Sequence, residues 1–361
     1  MKDVTTIPAA LTIGIDLGDR FSHYCVLDAG GSVVDEGRLA TSPPAFRVRF
    51  AGAPGARIAI EVGTHSPWVG ELLKEAGHEV LVANARKLRM IFDGDSKNDR
   101  LDAQQLARVA RMDPSLLYAI EPRGREARVD LSMLRARDCL VTARTRLVNH
   151  VRGVLKSFGV RIKKYSTPCF HERVAESIPA ELQAALSPLC ATLAGLTATI
   201  KGYDKRIEER SRERYPETKL LRQVCGVGPV TALCFVLTLE DPKRIKNSRM
   251  VGAFLGLRPK QCQSGKSDPE LRITKAGDRD LRRLLVQGAQ YNLGPFGTDS
   301  DLRRWGLTLA ARGGKNAKKR AVVAVARKLA VLLHRLWVTG AVYEPLRNTL
   351  LHEKRQRTHA A

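Results

Sequence analysis

The residues in this chain best suited to chemistry are four carboxylates, Asp16, Glu61, Asp99 and Asp102. Asp16 ends the apolar run 11–17, and Glu61 follows a second run, Arg57-Ile58-Ala59-Ile60. Asp99 and Asp102 stand three apart in KNDRLDAQQLARVA, a helical pattern that puts both on one face. Two strand ends and one helix face can bring such groups to a single point. Four acids gathered there repel one another severely unless hard cations neutralise them. Mg²⁺, with Mn²⁺ as a substitute, is the ion such oxygen ligands hold, and two ions about 4 Å apart would serve phosphoryl transfer.

Each acid also has an ordinary explanation. Asp16, in Gly-Ile-Asp-Leu-Gly, is a turn-forming residue at a strand end, or the phosphate-loop acid of an actin-like ATPase. Glu61 is a surface residue at a strand exit. Asp99 fits the capping box Ser96-Lys97-Asn98-Asp99, and Asp102 is an exposed helix carboxylate. The ordinary account needs four separate coincidences, and the metal reading needs one.

Charge points to the substrate. The net charge is +24, yet residues 1–85 hold seven Lys/Arg against ten Asp/Glu, whereas residues 303–361 hold fourteen against two. An acidic site in a chain with a strongly basic remainder reads as phosphodiester chemistry on nucleic acid. The seven cysteines form no CxxC pair, so a zinc site or a disulfide framework is not expected. No signal peptide and no uninterrupted apolar stretch of membrane-spanning length is read from the chain, which makes the cytoplasm the expected location.

The elements that must position the acids follow from periodicity. LTIGIDL, SHYCVLD and SVVDEGRLA read as an antiparallel meander. A helix at 43–50, the strands RIAIEV and HEVLVAN around a helix near 67–76, and a helix at 96–112 complete the order βββαβαβα. That order is the pattern of a ribonuclease-H-like (RuvC-like) α/β domain. Residues 124–158 repeat apolar pairs every seven (Met133/Leu134, Leu140/Val141, Leu147/Val148, Val154/Leu155), with Arg137 and Arg144 interrupting. With the helical run at 180–214 they form an antiparallel coiled-coil arm or an ordinary helical subdomain. Beyond 219 lies the pattern of a helix-hairpin-helix, turning at Gly226 and Gly228 before Pro229. Such a turn presents backbone N–H groups to a phosphate. The expected domains are 1–115 (RuvC-like α/β), 116–215 (helical arm), 216–345 (mostly α-helical) and 346–361 (basic tail).

Further along, Ser264 lies in Gln263-Ser264-Gly265 between basic stretches, and on composition Ser267 is its equal. Arg279, Arg282 and Arg283 are candidates to steady phosphate charge or to serve a helix surface. Lys275 and the group Lys315, Lys318, Lys319 and Arg320 are further candidate nucleic-acid contacts.

Taken in order, GIDLGDRFSHYCVLD, IAIEVGTHSPWV, KNDRLDAQQLA, GVGPVTA, FLGLRPKQCQSG, RITKAGDRDLRRLL and VAVARKLAVLLHRLW resemble the DEDD transposases of the IS110 insertion-sequence family, over nearly the whole chain. The resemblance implies that Asp16, Glu61, Asp99 and Asp102 are the metal-binding set. It implies that Ser264, chosen over Ser267 by its Ser-Gly match, attacks DNA and becomes joined to a 5′ phosphate. It also implies a tetramer whose half-sites come from different subunits, assembled through the arm on double-stranded donor and target DNA. A structured bridge RNA would choose the sites. Cys225 departs from the proline that commonly precedes the Gly-Val-Gly turn. Three rivals remain: a RuvC-like junction-resolving endonuclease without serine chemistry, an actin-like ATPase, and a non-catalytic nucleic-acid-binding protein.

Overall fold

The computed structural model describes residues 11–51, 55–88, 98–269, 271–349 and 351. Ser96 and Lys97 of the expected capping box, and residues 352–361 of the basic tail, lie outside them. The chain divides into two compact units, Met1–Arg123 and Gly124–Ala361.

In the first unit, strands β1 (Thr12–Leu17), β2 (Phe21–Leu27), β3 (Val33–Ala40), β4 (Arg57–Glu61) and β5 (Glu79–Ala83) form one mixed sheet in the order β3-β2-β1-β4-β5. The meander β1–β3 is antiparallel, while β4 runs parallel to β1 and β5 parallel to β4. Helices α1 (Pro43–Phe50), α2 (Ser66–Glu75), α3 (Ala85–Leu88) and α4 (Asp99–Met112) complete it. The expected order βββαβαβα is found, with the single-turn α3 added. The unit continues to Arg123 because Ile120 N–H donates to Val82 O at 2.8 Å and Asn84 N–H to Leu117 O at 3.0 Å.

Side-chain alternation divides the sheet's work between its faces. Ile13, Ile15, Val26, Ile58 and Ile60 bury one face with Phe46, Phe50, Val69 and Leu73 of α1 and α2. The other face uses small residues, Gly14, Cys25 and Ala59, beneath Ala103, Leu106, Ala107 and Ala110 of α4. A Cβ on Gly14 would stand 2.1 Å from Ala103 O and 2.4 Å from Ala107 N, so α4 lies with its backbone against the strand. Arg111, near the end of α4, reaches Gly31 in the β2–β3 turn, whereas Asp99 at its start reaches His23 beside the end of β1. The helix therefore runs back along β1 and puts its first turn at the Asp16 end.

The second unit is helical: α5 (Arg125–Ser157), α6 (Phe170–Ala175), α7 (Gln183–Arg214), α8 (Thr218–Leu221), α9 (Pro229–Leu239), α10 (Val251–Phe254), α11 (Arg279–Leu293), α12 (Asp301–Ala310) and α13 (Ala317–Thr339). Helix α9 is the centre, buried from Thr231 to Leu239 and enclosed by α5, α7, α8 and α11 in a core that also takes in α13. Helices α5 and α7 pack along each other, and a second core closes their far end, where Val148, Val151 and Leu155 meet Phe170, Val174, Leu186 and Leu193. Between the two cores the contacts are polar. Arg137 donates to Asp204 at 2.5 Å and Arg144 to Thr197 Oγ1 at 3.3 Å. Burial lowers the pKa of the Arg144 guanidinium, with Arg137 adding to the effect. Among the described residues one helical stretch, Ala180–Arg214, is long and apolar enough by length and composition to cross a membrane, which amends the expectation of none. Its Leu186, Leu193, Ile200 and Ile207 are buried inside the unit.

Candidate functional site

The first unit gathers the four acids at one corner of its sheet. Ile15 of β1 pairs with Ile60 of β4, so Asp16 and Glu61 come next on neighbouring parallel strands and point to the same face as Gly14 and Ala59. That is the face covered by α4. Asn98 caps α4, its side chain accepting from Arg100 N–H at 3.0 Å. Capping therefore falls to Asn98 and not to Asp99, which begins the helix proper. Asp99 and Asp102 share the first turn, and Asp102 immediately precedes the Ala103 that rests on Gly14. Arg100 forms an ion pair with Glu36 of β3 and fixes the helix start from the other side.

The all-oxygen donor set suits a hard divalent cation. Among the described residues no three His, Cys, Asp or Glu side chains converge closely enough to hold an ion.

Two histidines at this corner, both within the quoted motifs, add to the four acids. His23 pairs with Asp16 across β1 and β2, and its Nδ1 lies 3.8 Å from Asp99 Oδ2. That nitrogen is buried without a hydrogen-bond partner. His65, just after β4, accepts from Trp68 Nε1 at 3.1 Å through Nδ1 and turns Nε2 toward Asp19, 3.6 Å away in the loop after β1. Strand alternation in SHYCVLD was the signal for His23, because any residue paired with Asp16 must share its face. His65 had none, since its place depends on where β4 ends.

In the second unit, Ser264 is exposed at the tip of a two-stranded excursion between α10 and α11. Ser264 and Ser267 exchange backbone hydrogen bonds of 3.1 and 3.0 Å around Gly265, whose φ is +55°. Lower down, Lys260 N–H donates to Arg272 O at 3.0 Å and Thr274 N–H to Arg258 O at 2.9 Å. Both serines thus face each other across one tight turn, and the geometry leaves them equal.

The turn between α8 and α9 is built on Gly226, at φ +82°. A Cβ there would meet Gly288 O of α11 at 2.4 Å, and one on Gly288 would meet Gly226 O at 2.7 Å. Gly228 and Pro229 then open α9. Gly226, Gly228, Gln287 and Tyr291 line a recess beside this turn. The Tyr291 and Phe296 rings, 50% and 75% exposed, stack with centroids 6.3 Å apart.

The candidate basic residues separate by exposure. Arg282 donates to three backbone carbonyls, and Arg283 pairs with Asp138 of α5 at 2.6 Å. Arg279, Lys275, Lys315, Lys318, Lys319 and Arg320 are exposed. The last four cluster at the start of α13, in KNAKKR.

Comparison with known proteins fits this division. A transposase family model for DEDD transposases of the IS110 type matches residues 13–159, and the "Transposase IS116/IS110/IS902 family" model matches residues 218–295. A probable family 20 transposase of Pseudomonas aeruginosa is 30% identical over 92% of this chain and 98% of its own length. The transposase for insertion sequence element IS1111A of Coxiella burnetii is 29% identical over 95% of this chain and 92% of its own. An IS110 insertion-element protein of Streptomyces coelicolor is 23% identical over 92% of this chain. Proteins of the DEDD transposase family use divalent metal ions. A RuvC-like DEDD unit, a helical second unit and full-length similarity to transposases together make the chain a member of the IS110 family of transposases, enzymes that cut and move DNA.

Proposed function

We propose that this transposase cleaves and exchanges DNA strands with a serine nucleophile assisted by an acidic metal site, at positions chosen by a bridging RNA. The observation that carries the reading is the placement of Asp16, Glu61, Asp99 and Asp102 on two strand ends and one helix turn at a single sheet corner. These four residues would hold Mg²⁺ or Mn²⁺. When bound, such an ion neutralises the acids and draws charge from the scissile phosphate.

Ser264 supplies the oxygen that attacks phosphorus. The Oγ–P bond forms as the P–O3′ bond breaks. The proton lost from Oγ is matched by one gained at the departing 3′ oxygen, which leaves a 5′-phosphoserine. The Ser-Gly match favours Ser264 over Ser267. Its exposed position at the tip of an excursion supports a role in reaching bound DNA.

The remaining assignments follow the charge. Residues 1–115 act as the nuclease domain, 116–215 as a coiled-coil arm for assembly, 216–345 as the transposase domain and 346–361 as a basic tail. The turn at Gly226 and Gly228 acts as a helix-hairpin-helix against DNA phosphate. Lys275, Arg279, Lys315, Lys318, Lys319 and Arg320 supply positive charge to double-stranded DNA and RNA. Arg282 and Arg283 are engaged within the unit. The working form is a tetramer acting in the cytoplasm.

The test is to incubate the protein with its flanking DNA, the RNA transcribed beside it and Mg²⁺, then look for DNA attached after denaturation. An adduct in wild type that is absent from Ser264→Ala and Asp16→Ala supports the reading. Cleaved DNA without adduct, unaffected by Ser264→Ala, would make the chain a hydrolytic RuvC-like endonuclease instead.

A further inference from the structure

The excursion carrying Ser264 is locked at its base more firmly than an exposed loop requires. Its outgoing leg leaves at Gly256, φ +67°, and its return leg arrives through Lys275, φ +55°, and Gly277, φ +69°. A Cβ on Gly256 would stand 2.2 Å from Ala276 N, and one on Gly277 would stand 2.1 Å from Phe254 O. The legs therefore touch backbone to backbone. Lys275 N–H also donates to Gly256 O at 3.0 Å.

Arg282, in the first turn of α11, closes the arrangement. Its Nη1 donates to Leu255 O at 3.0 Å on the outgoing side and to Ala276 O at 2.7 Å on the return side, and lies 3.4 Å from Asp278 O. A guanidinium brings several donors in one rigid plane, so a single side chain can bind carbonyls from both legs.

The clamp is itself anchored. Asp278 Oδ1 caps α11, accepting from Asp280 and Leu281 N–H at 3.0 and 2.9 Å. Its Oδ2 lies 3.9 Å from Arg135 of α5, with only 6% of the Asp278 side chain exposed. Arg135 also approaches Asp280 at 3.5 Å, and Asp138 of α5 pairs with Arg283 at 2.6 Å.

We infer that Arg282 is a positioning residue for the reactive serine, gripping both legs of the hairpin through the carbonyls of Leu255 and Ala276, with α5 steadying the grip through Asp278. The inference rests on Ser264 being the nucleophile. Its physical basis is leverage. Ser264 is eight residues beyond Gly256, a reach of up to about 26 Å. A tilt of about 5° at the base moves a tip at that distance by about 2 Å, and a misplacement of about 1 Å is enough to cost roughly 100-fold in rate.

The experiment compares full-length wild type, Ser264→Ala, Arg282→Met and Arg282→Lys on the flanking DNA with its RNA and Mg²⁺. It reads DNA affinity against salt, the rate of covalent adduct formation at saturating DNA, and trypsin cleavage at Lys260 and Lys266 without DNA. Arg282→Met is expected to bind DNA within about twofold of wild type with the same salt slope. Its adduct should form roughly 100-fold more slowly, and its hairpin should be cut faster. Arg282→Lys should recover part of both losses.

A wild-type adduct rate in Arg282→Met overturns the inference. So does a weaker, less salt-dependent affinity with an unchanged rate at saturation, which would make Arg282 a phosphate contact. If Arg282→Met does not fold, Arg282→Lys is scored by the same readouts. An adduct that survives Ser264→Ala refutes the nucleophile assignment instead, and the trypsin pattern still reports whether Arg282 holds the hairpin.

Discussion

The two units of this transposase divide charge very unequally. Residues 1–123 hold 15 Lys/Arg and 16 Asp/Glu, a net of −1, whereas residues 124–361 hold 46 and 21, a net of +25. The chain's entire excess of positive charge thus belongs to the helical unit. The near-neutral unit carries its acids on regular elements, two strand ends and a capped helix, and packs α4 directly onto Gly14. The basic unit carries Ser264 on an exposed hairpin held from below by Arg282. Electrostatic attraction for a polyanion and tight placement of carboxylates make opposite demands, because basic side chains among the acids would occupy them as ion-pair partners. Separating the two tasks meets both.

The sharpest way to break this comparison is to inactivate each unit separately and mix the products. Asp16→Asn and Ser264→Ala alone should each lower strand cleavage by at least roughly 1,000-fold. Co-assembled, they should regain measurable cleavage if one subunit's acids serve another's serine. No recovery in the mixture would place both halves of the site in one chain.

A second test acts on the acidic unit alone. Gly14→Val drives a side chain into Ala103 O and Ala107 N and should lower stability by about 1–3 kcal/mol, or more if α4 detaches. Cleavage should fall with it, while DNA affinity should hold within about twofold, because the excess positive charge lies in the other unit. Thermal unfolding and fluorescence anisotropy read the two effects.

Removing charge from the basic unit should do the reverse. Replacing Lys315, Lys318, Lys319 and Arg320 together with Gln should weaken binding to all DNA sequences alike. It should also reduce the slope of log affinity against log salt by up to about 4, roughly one for each phosphate no longer neutralised.

The smallest effect concerns pH. Burial, aided by the hydrogen bond to Asp130 at 2.7 Å, pushes the Tyr215 hydroxyl up to about 12 from its ordinary 10. A folded value above the unfolded one means stability that is complete below pH 10 and lost as pH rises toward 12. Tyr215→Phe should flatten that part of the melting-temperature profile in the basic unit and leave the acidic unit's unfolding unchanged.

Much of the acidic unit was legible in the chain. Apolar alternation located all five strands, and the three-residue spacing of Asp99 and Asp102 put them on one turn of α4. What could not be read there depends on register. Alternation marks the face of His23, but its pairing with Asp16 is set by the β1–β2 turn, and the approach of His65 to Asp19 follows from two loops that alternation does not order. In the basic unit the seven-residue repeat predicted the long α5. Its middle nonetheless packs through Arg137 and Arg144, because Asp204 and Thr197 of α7 meet it there. The Arg282 clamp was least legible: an arginine in RDLRRLL reads as surface charge, and only the folded placement of Leu255, Ala276 and Asp278 brings three carbonyls to it.

The contact between Gly226 and Gly288 makes α11 a ruler. Arg282 holds the serine hairpin at one mark and Gly288 seats the glycine turn at another, six residues along. At 1.5 Å of rise per residue the marks are about 9 Å apart along the axis. Their relative angle is equally set, since each residue advances the helix by about 100°. One residue inserted between them would leave both grips chemically intact while swinging the hairpin about a quarter-turn away from the turn. Length and phase of a single helix thus set the spacing and the angle between the hairpin and the glycine turn.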